Sequence, residues 1–194
     1  MAWRPATGAL AGGAATANLL VIGLTLASAG ADPPGLAAAA RNTARLSALV
    51  LALAVIAGAP GWPRWHRHRV ALTCAFVAAH MVHFGSVLAL AIGDPTHGLH
   101  RLETPMLVIT VVGFVHVLLI AVTAGAPAER RGRRWTHALL FYSAVAIVAL
   151  ALGSGAAGSA ASAATLVVVG GAVVLRVAGA RAIRAPGGAS ERSG

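Results

Sequence analysis

The chain contains no lysine, a single cysteine and very few charged residues. Charged residues make up 10% of its 194 residues and aromatic residues 5%, whereas 58% are hydrophobic and the mean hydropathy is +0.79. A charged fraction this small is far below that of an ordinary soluble domain. The single Cys74 excludes an intrachain disulfide and a cysteine-based metal site, and we interpret it as a packing or lipid-facing residue. The composition predicts an integral membrane protein.

Acidic residues are also scarce, so the net charge is +10 and the isoelectric point is near 11.9. In a soluble chain this balance would indicate nucleic acid as a partner. Here the arginines stand in short runs between apolar segments, which favours topology signals and predicts no nucleic-acid binding. No GxGxxG motif follows a strand-like run, so the sequence encodes no flavin or nicotinamide site.

Six segments are long enough to cross a hydrocarbon core of about 30 Å, which takes about 20 helical residues. The predicted spans are approximately Gly8–Ala29, Thr43–Pro60, Arg69–Gly93, Pro105–Gly125, Trp135–Gly155 and Gly158–Gly179. The predicted fold is all-α: a polytopic membrane bundle of six transmembrane helices over residues 1–179, followed by a disordered cytoplasmic tail over residues 180–194.

The first segment ends in Ala27-Ser28-Ala29, which is similar to a signal-peptidase site. Its apolar run of about 20 residues exceeds the roughly 7–15 of a usual signal core, so we predict a retained helix. Cleavage would leave five spans in the same orientation.

The distribution of arginine predicts the orientation of the bundle. Of the 15 arginines, 12 fall in the N-terminal stub, the second loop, the fourth loop and the C-terminal end. With six spans, these four segments lie on the same side of the membrane. Both termini should therefore be cytoplasmic, in a bacterial-type inner (plasma) membrane. Trp62, Trp65 and Trp135 would then lie at the cytoplasmic interface. The arginine loops would contact anionic lipid or dock a cytoplasmic protein.

Depth separates the eight histidines into groups. His66, His68, His97 and His100 fall in predicted loops, where they would titrate in water. His80 follows the cytoplasmic end of the third span by 11 residues, which places it about 16 Å deep at roughly 1.5 Å per residue. His116 precedes the cytoplasmic end of the fourth span by 9 residues and is about 14 Å deep. His83 lies on nearly the same helix face as His80.

An imidazole at the bilayer centre needs a partner, and the sequence leaves several open. The first is a hydrogen bond to a Ser or Thr on a neighbouring helix. The second is haem b, which is held by imidazoles across an apolar slot lined by small residues. One helix turn cannot supply both trans ligands, so one of His80 and His83 would ligate. The other would bond a propionate, serve a second haem or conduct protons.

The order of elements over residues 41–155 resembles the ferric reductase-like transmembrane domain superfamily, which includes the haem-binding membrane subunit of the methionine sulfoxide reductase system. The resemblance rests on RNTARLS at 41–47, a basic loop, AFVAAHMVHFG at 75–85, AVTA at 121–124 and RRWTHALLFY at 133–142. It implies haem ligands at His80 and His137. Depth instead pairs His80 or His83 with His116, and both pairings stay open.

Two functions follow as hypotheses. In the first, the protein carries electrons through haem b from a quinol or flavoprotein to a periplasmic acceptor, and a redox partner is required. In the second, it is a cofactor-free bundle that acts as a transporter component or scaffold, with relay or packing histidines. Gly8 and Gly12 form a GxxxG pattern, which indicates close contacts between helices and predicts that copies of the chain associate as a homo-oligomer.

Overall fold

A computed structural model describes residues 5–59, 68–94, 104–124, 131–156 and 159–184. Within these residues the fold is all-α, as the sequence predicts. The six helices are α1 (Pro5–Ala29), α2 (Pro33–Ala57), α3 (Arg69–Gly93), α4 (Thr104–Ala124), α5 (Arg131–Ala156) and α6 (Ala160–Arg184).

A tight turn joins α1 to α2. Gly30 has φ +88°, which suits a residue without a Cβ, and Asp32 caps α2 by accepting a 3.0 Å hydrogen bond from the amide of Gly35. Pro33 and Pro34 occupy the first helical positions, where a missing N–H costs nothing. The helix therefore begins at Pro33. The apolar run from which the second span was predicted begins ten residues later, at Thr43.

The helix α2 is the hub of the bundle. It packs against α1, α3 and α6, while α4 lies between α3 and α5, and α5 lies beside α6. The helices α2 to α6 thus form a closed circuit, and α1 packs against α2 and α3. An apolar core joins all five helices of the circuit, with its largest fully buried side chains at Leu51, Val55, Phe76, Val117, Ile120 and Val169.

Four helices, α1, α2, α3 and α6, carry stretches long and apolar enough to cross a membrane. In the described residues α4 and α5 contribute shorter apolar stretches, Val108–Thr123 and Phe141–Gly153. Large apolar side chains also face outward, with Leu24 of α1 71% exposed and Val122 of α4 78% exposed. Such a surface is stable in lipid and unfavourable in water, as expected of a membrane protein.

Candidate functional site

His80 is buried inside the bundle at the middle of α3. Its side chain is 8% exposed and its ring packs against Phe76, His83 and Phe84, with centroid distances of 5.0, 5.2 and 4.9 Å. Among the residues that the structure describes, the Nδ1 atom of His80 has no hydrogen-bond partner. Buried ring nitrogens are normally paired, so this atom is available to a ligand or to water.

His83 is held by a threonine of the neighbouring helix. Its Nδ1 lies 3.2 Å from Thr43 Oγ1, and Thr43 directs its own proton to the carbonyl oxygens of Ala39 and Ala40 at 2.9 and 3.0 Å. With that proton engaged, Thr43 accepts a hydrogen bond from Nδ1–H, and Nε2 of His83 keeps its lone pair. The bond fixes the register between α2 and α3.

Ser86 completes this small network. Its hydroxyl donates to the carbonyl oxygen of His83 at 2.6 Å and lies 3.1 Å from Thr43 Oγ1. Thr43 is fully buried and Ser86 is 6% exposed. The three side chains therefore form a hydrogen-bonded link between α2 and α3 within the bundle.

His116 of α4 is half-buried and makes a local bond. Its Nδ1 lies 2.8 Å from the carbonyl oxygen of Val112, which can only accept, so Nδ1 carries the proton and Nε2 keeps its lone pair. A Cβ at Gly113 would lie 3.9 Å from the ring of Phe84, so α4 and α3 are in register at these two residues. His116 follows Gly113 by three residues and His80 precedes Phe84 by four, so the two histidines are level to within about one helix turn.

The structure does not bring the rings of His80 and His116 into contact. The ring of Phe84 packs on His80 and meets Phe114 edge-on at 5.1 Å, so two phenyl rings occupy the interface of α3 and α4. His116 is therefore a neighbour of His80 in level and in helix order, with aromatic side chains between the two helices.

The remaining histidines are farther from this site or outside the described residues. His137 lies in α5, which packs against α4 and α6, and its side chain is outside the described part, as are His66, His97 and His100. His68 is half-buried immediately before α3. A Cβ at Gly113 would lie 3.5 Å from Ile147, which places the backbone of His137 about 9 Å from the level of His80, toward the end of the bundle at which α3 begins.

The donor chemistry at His80, His83 and His116 fits an imidazole-ligated haem. His83 and His116 have Nδ1 hydrogen-bonded to oxygen, which orients the ring and leaves Nε2 as the ligand atom. The described residues contain no cluster of three or more His, Cys, Asp or Glu that could hold a bare metal ion. A haem would need only one or two imidazoles from the protein.

A second polar cluster surrounds Arg45, which the arginine count treated only as a topology signal. Its guanidinium donates to Ser159 Oγ at 2.8 Å, to Ser162 Oγ at 3.1 Å and to Asn42 Oδ1 at 2.9 Å. Asn42 in turn donates to Thr25 Oγ1 at 3.2 Å. The cluster joins α1, α2 and the start of α6. An arginine inside an apolar segment, together with serines in the last hairpin, was the sequence signal for it.

Two further buried polar residues were missed by the sequence reasoning. Asn18 of α1 and Ser47 of α2 are both fully buried. Asn18 is an isolated polar residue near the middle of an apolar segment, and that position was the available signal, whereas Ser47 follows Arg45 by two residues near the start of the second predicted span.

The chain matches no protein-family model, no curated protein and no solved structure.

Proposed function

We propose that the protein is a haem b-binding, ferric reductase-like membrane protein that passes electrons across a bacterial inner (plasma) membrane. The observation that carries this proposal is the buried imidazole of His80 at the middle of α3, which is level to within about one helix turn with His116 on the adjacent α4. In this proposal α1 to α6 all span the membrane and both termini are cytoplasmic. The arginine distribution supports that orientation.

His80 and His116 are the residues that would hold the haem. They stand on adjacent helices at similar levels, and His116 already has the tautomer that leaves Nε2 free to ligate. Phe84 and Phe114, which pack between the two helices, would have to turn aside. His83 has a ligating tautomer too, but its bond to Thr43 directs it toward α2, so we assign it a supporting role. His137 is the rival second ligand from the family resemblance.

The residues around His80 would set the environment of the cofactor. When bound, haem b supplies a one-electron iron couple that the side chains themselves lack. Phe76 and Phe84 pack against the imidazole of His80, and Thr43 holds the ring of His83 beside it. Since the sequence has no flavin or nicotinamide motif, a quinol or a cytoplasmic flavoprotein would donate electrons, and a periplasmic partner would accept them.

Optical spectroscopy of the detergent-purified protein tests the proposal. After expression with ample haem, we expect a Soret band that shifts on dithionite reduction and about one haem per chain by extraction, as for a single b-type site. Protein that is folded and helical by circular dichroism yet free of haem would overturn the proposal.

Single substitutions then identify the ligands. We expect His80→Ala and His116→Ala to abolish the low-spin spectrum, whereas His83→Ala and the loop variant His68→Ala retain it. Loss of the spectrum in His137→Ala, with retention in His116→Ala, would replace His116 by His137 as the second ligand.

A second candidate function is a cofactor-free bundle that acts as a transporter component or scaffold. The observation that favours it is the link of His83, Thr43 and Ser86, in which an intramembrane histidine is satisfied by protein groups alone. In that case His80 would be a packing or proton-relay residue. Haem-free protein that His83→Ala destabilises would support this function over the first.

A further inference from the structure

Three polar atoms on three adjacent helices are buried without a partner among the described residues: Asn18 Oδ1, Ser47 Oγ and His80 Nδ1. Asn18 and Ser47 are fully buried, and His80 is 8% exposed. Native proteins pair such atoms with protein groups or with ordered water, because an unpaired one is costly. Three such atoms on helices that pack against one another point to one shared cause.

The hydrogen bond between Asn42 and Thr25 fixes the register of α1 against α2. Asn18 precedes Thr25 by seven residues, or two helix turns, so it lies on the same face of α1 and points toward α2. Because α1 and α2 are antiparallel, moving seven residues back from Thr25 to Asn18 corresponds to moving seven residues forward from Asn42, to position 49 of α2. Asn18 therefore lies within about 3 Å of the level of Ser47 along the helix axis.

The hydrogen bond between Thr43 and His83 fixes the register of α2 against α3 in the same way. Ser47 follows Thr43 by one turn and shares the face that contacts α3. His80 precedes His83 by three residues, so Ser47 and His80 are level to within about 2 Å along the axis. Asn18 and His80 are thus each level with Ser47 to within about 3 Å along the helix axes, on three helices that pack against one another.

The amide of Asn18 has a defined orientation. Its Nδ2 donates to the carbonyl oxygen of Ala14 at 3.2 Å. A flipped amide would bring Oδ1 against that oxygen, so Oδ1 is directed away from its own helix.

We propose that Asn18, Ser47 and His80 bind one ordered water molecule in the junction of α1, α2 and α3. Water can donate one proton to Asn18 Oδ1, accept the proton of Ser47 and bond His80 Nδ1 as donor or acceptor, which makes three bonds, as buried waters typically do. A hard metal cation fits less well because it requires oxygen ligands throughout. The site does not depend on haem, since it uses the Nδ1 side of His80 and leaves Nε2 free.

A high-resolution density map of the full, unaltered chain in detergent or nanodiscs tests the site directly. The expected result is a density peak within hydrogen-bonding distance of all three atoms. A map in which the three atoms bond one another directly, or in which the junction has no such peak, would overturn the proposal.

A double-mutant cycle provides a second test. In thermal unfolding of the purified protein, Asn18→Leu and Ser47→Ala should each lower Tm, and the combined variant should lower it by less than the two shifts together. The reason is that the first substitution already releases the shared water. The control pairs Asn18→Leu with Thr165→Val, a buried α6 hydroxyl bonded to Ala161 of its own helix, and these shifts should add. Additive shifts in the Asn18 and Ser47 pair would contradict a shared water.

Discussion

The two halves of the bundle are held together by different forces. Where α1, α2 and α3 meet, the polar side chains include the buried Thr43, His80 and Ser86 and the half-buried His83. Along α4, α5 and α6 the core is apolar, with Val117, Ile120, Val145, Val148 and Val169. Lipid tails are as apolar as these side chains, so the hydrophobic effect contributes little to helix association within a membrane. Close van der Waals packing must therefore hold the second half together. Directional bonds fix the register of the first half.

The largest effect should come from a cavity in the apolar half. Replacing Ile120, which is fully buried, by Ala should lower the free energy of unfolding by about 2–5 kcal/mol, because neighbouring side chains cannot fill the space. Chemical denaturation in detergent measures this. The neighbouring Leu119 is 43% exposed, and Leu119→Ala should change little because lipid or detergent replaces its contacts. Equal losses for the two variants would show that α4 is not seated as described.

Removal of Arg45 should cause the next largest loss of unfolding free energy, because this residue hydrogen-bonds α2 to the start of α6 and so links the two halves. Arg45→Met would break the bonds to Ser159, Ser162 and Asn42 at a cost of about 1.5–3 kcal/mol, since the donor is charged. Arg41, one turn earlier on α2, is exposed and provides the control. Equal unfolding free energies for Arg41→Met and Arg45→Met would argue against the α2–α6 link.

A smaller effect is expected within the polar half. Thr43→Val keeps the side-chain shape but removes the acceptor for His83, at a cost of about 0.6–1.7 kcal/mol. Thr73→Val, which removes a bond only to the carbonyl of Arg69 in the same helix, is the matched control. Nitrogen NMR of labelled histidine should also show the loss of the fixed Nδ1–H tautomer at His83. An unchanged His83 signal would mean that Thr43 is not its partner.

Prediction from the sequence succeeded where local composition decides the outcome. Long apolar runs separated by Pro and Gly were sufficient to predict an all-helical bundle, and the structure confirms six helices with four long enough to span a membrane. The predicted second span begins at Thr43, ten residues after the start of α2, because the cap from Asp32 depends on local hydrogen bonding and not on hydropathy. The six-span topology, the orientation and the haem ligands stay predictions.

Particular residues show why the candidate site was harder to predict. The spacing of His80 and His83 predicted that both lie within a span, but not that one bonds Thr43 while the other has a nitrogen without a partner among the described residues. Those partners lie on another helix, 40 residues away in the chain for Thr43 and His83. Arg45 acquires its role in the same way, through Ser159 and Ser162, which lie 114 and 117 residues away in the chain.

The sequence alone therefore determined the solvent that the protein prefers and its helical class, because hydropathy and helix length act locally along the chain. Only the tertiary structure decided which polar groups face one another, since helix rotation and register depend on packing between segments. The packing of α1, α2 and α3 against one another brings together the helices that carry Asn18, Ser47 and His80. No pattern within a single helix indicates that arrangement.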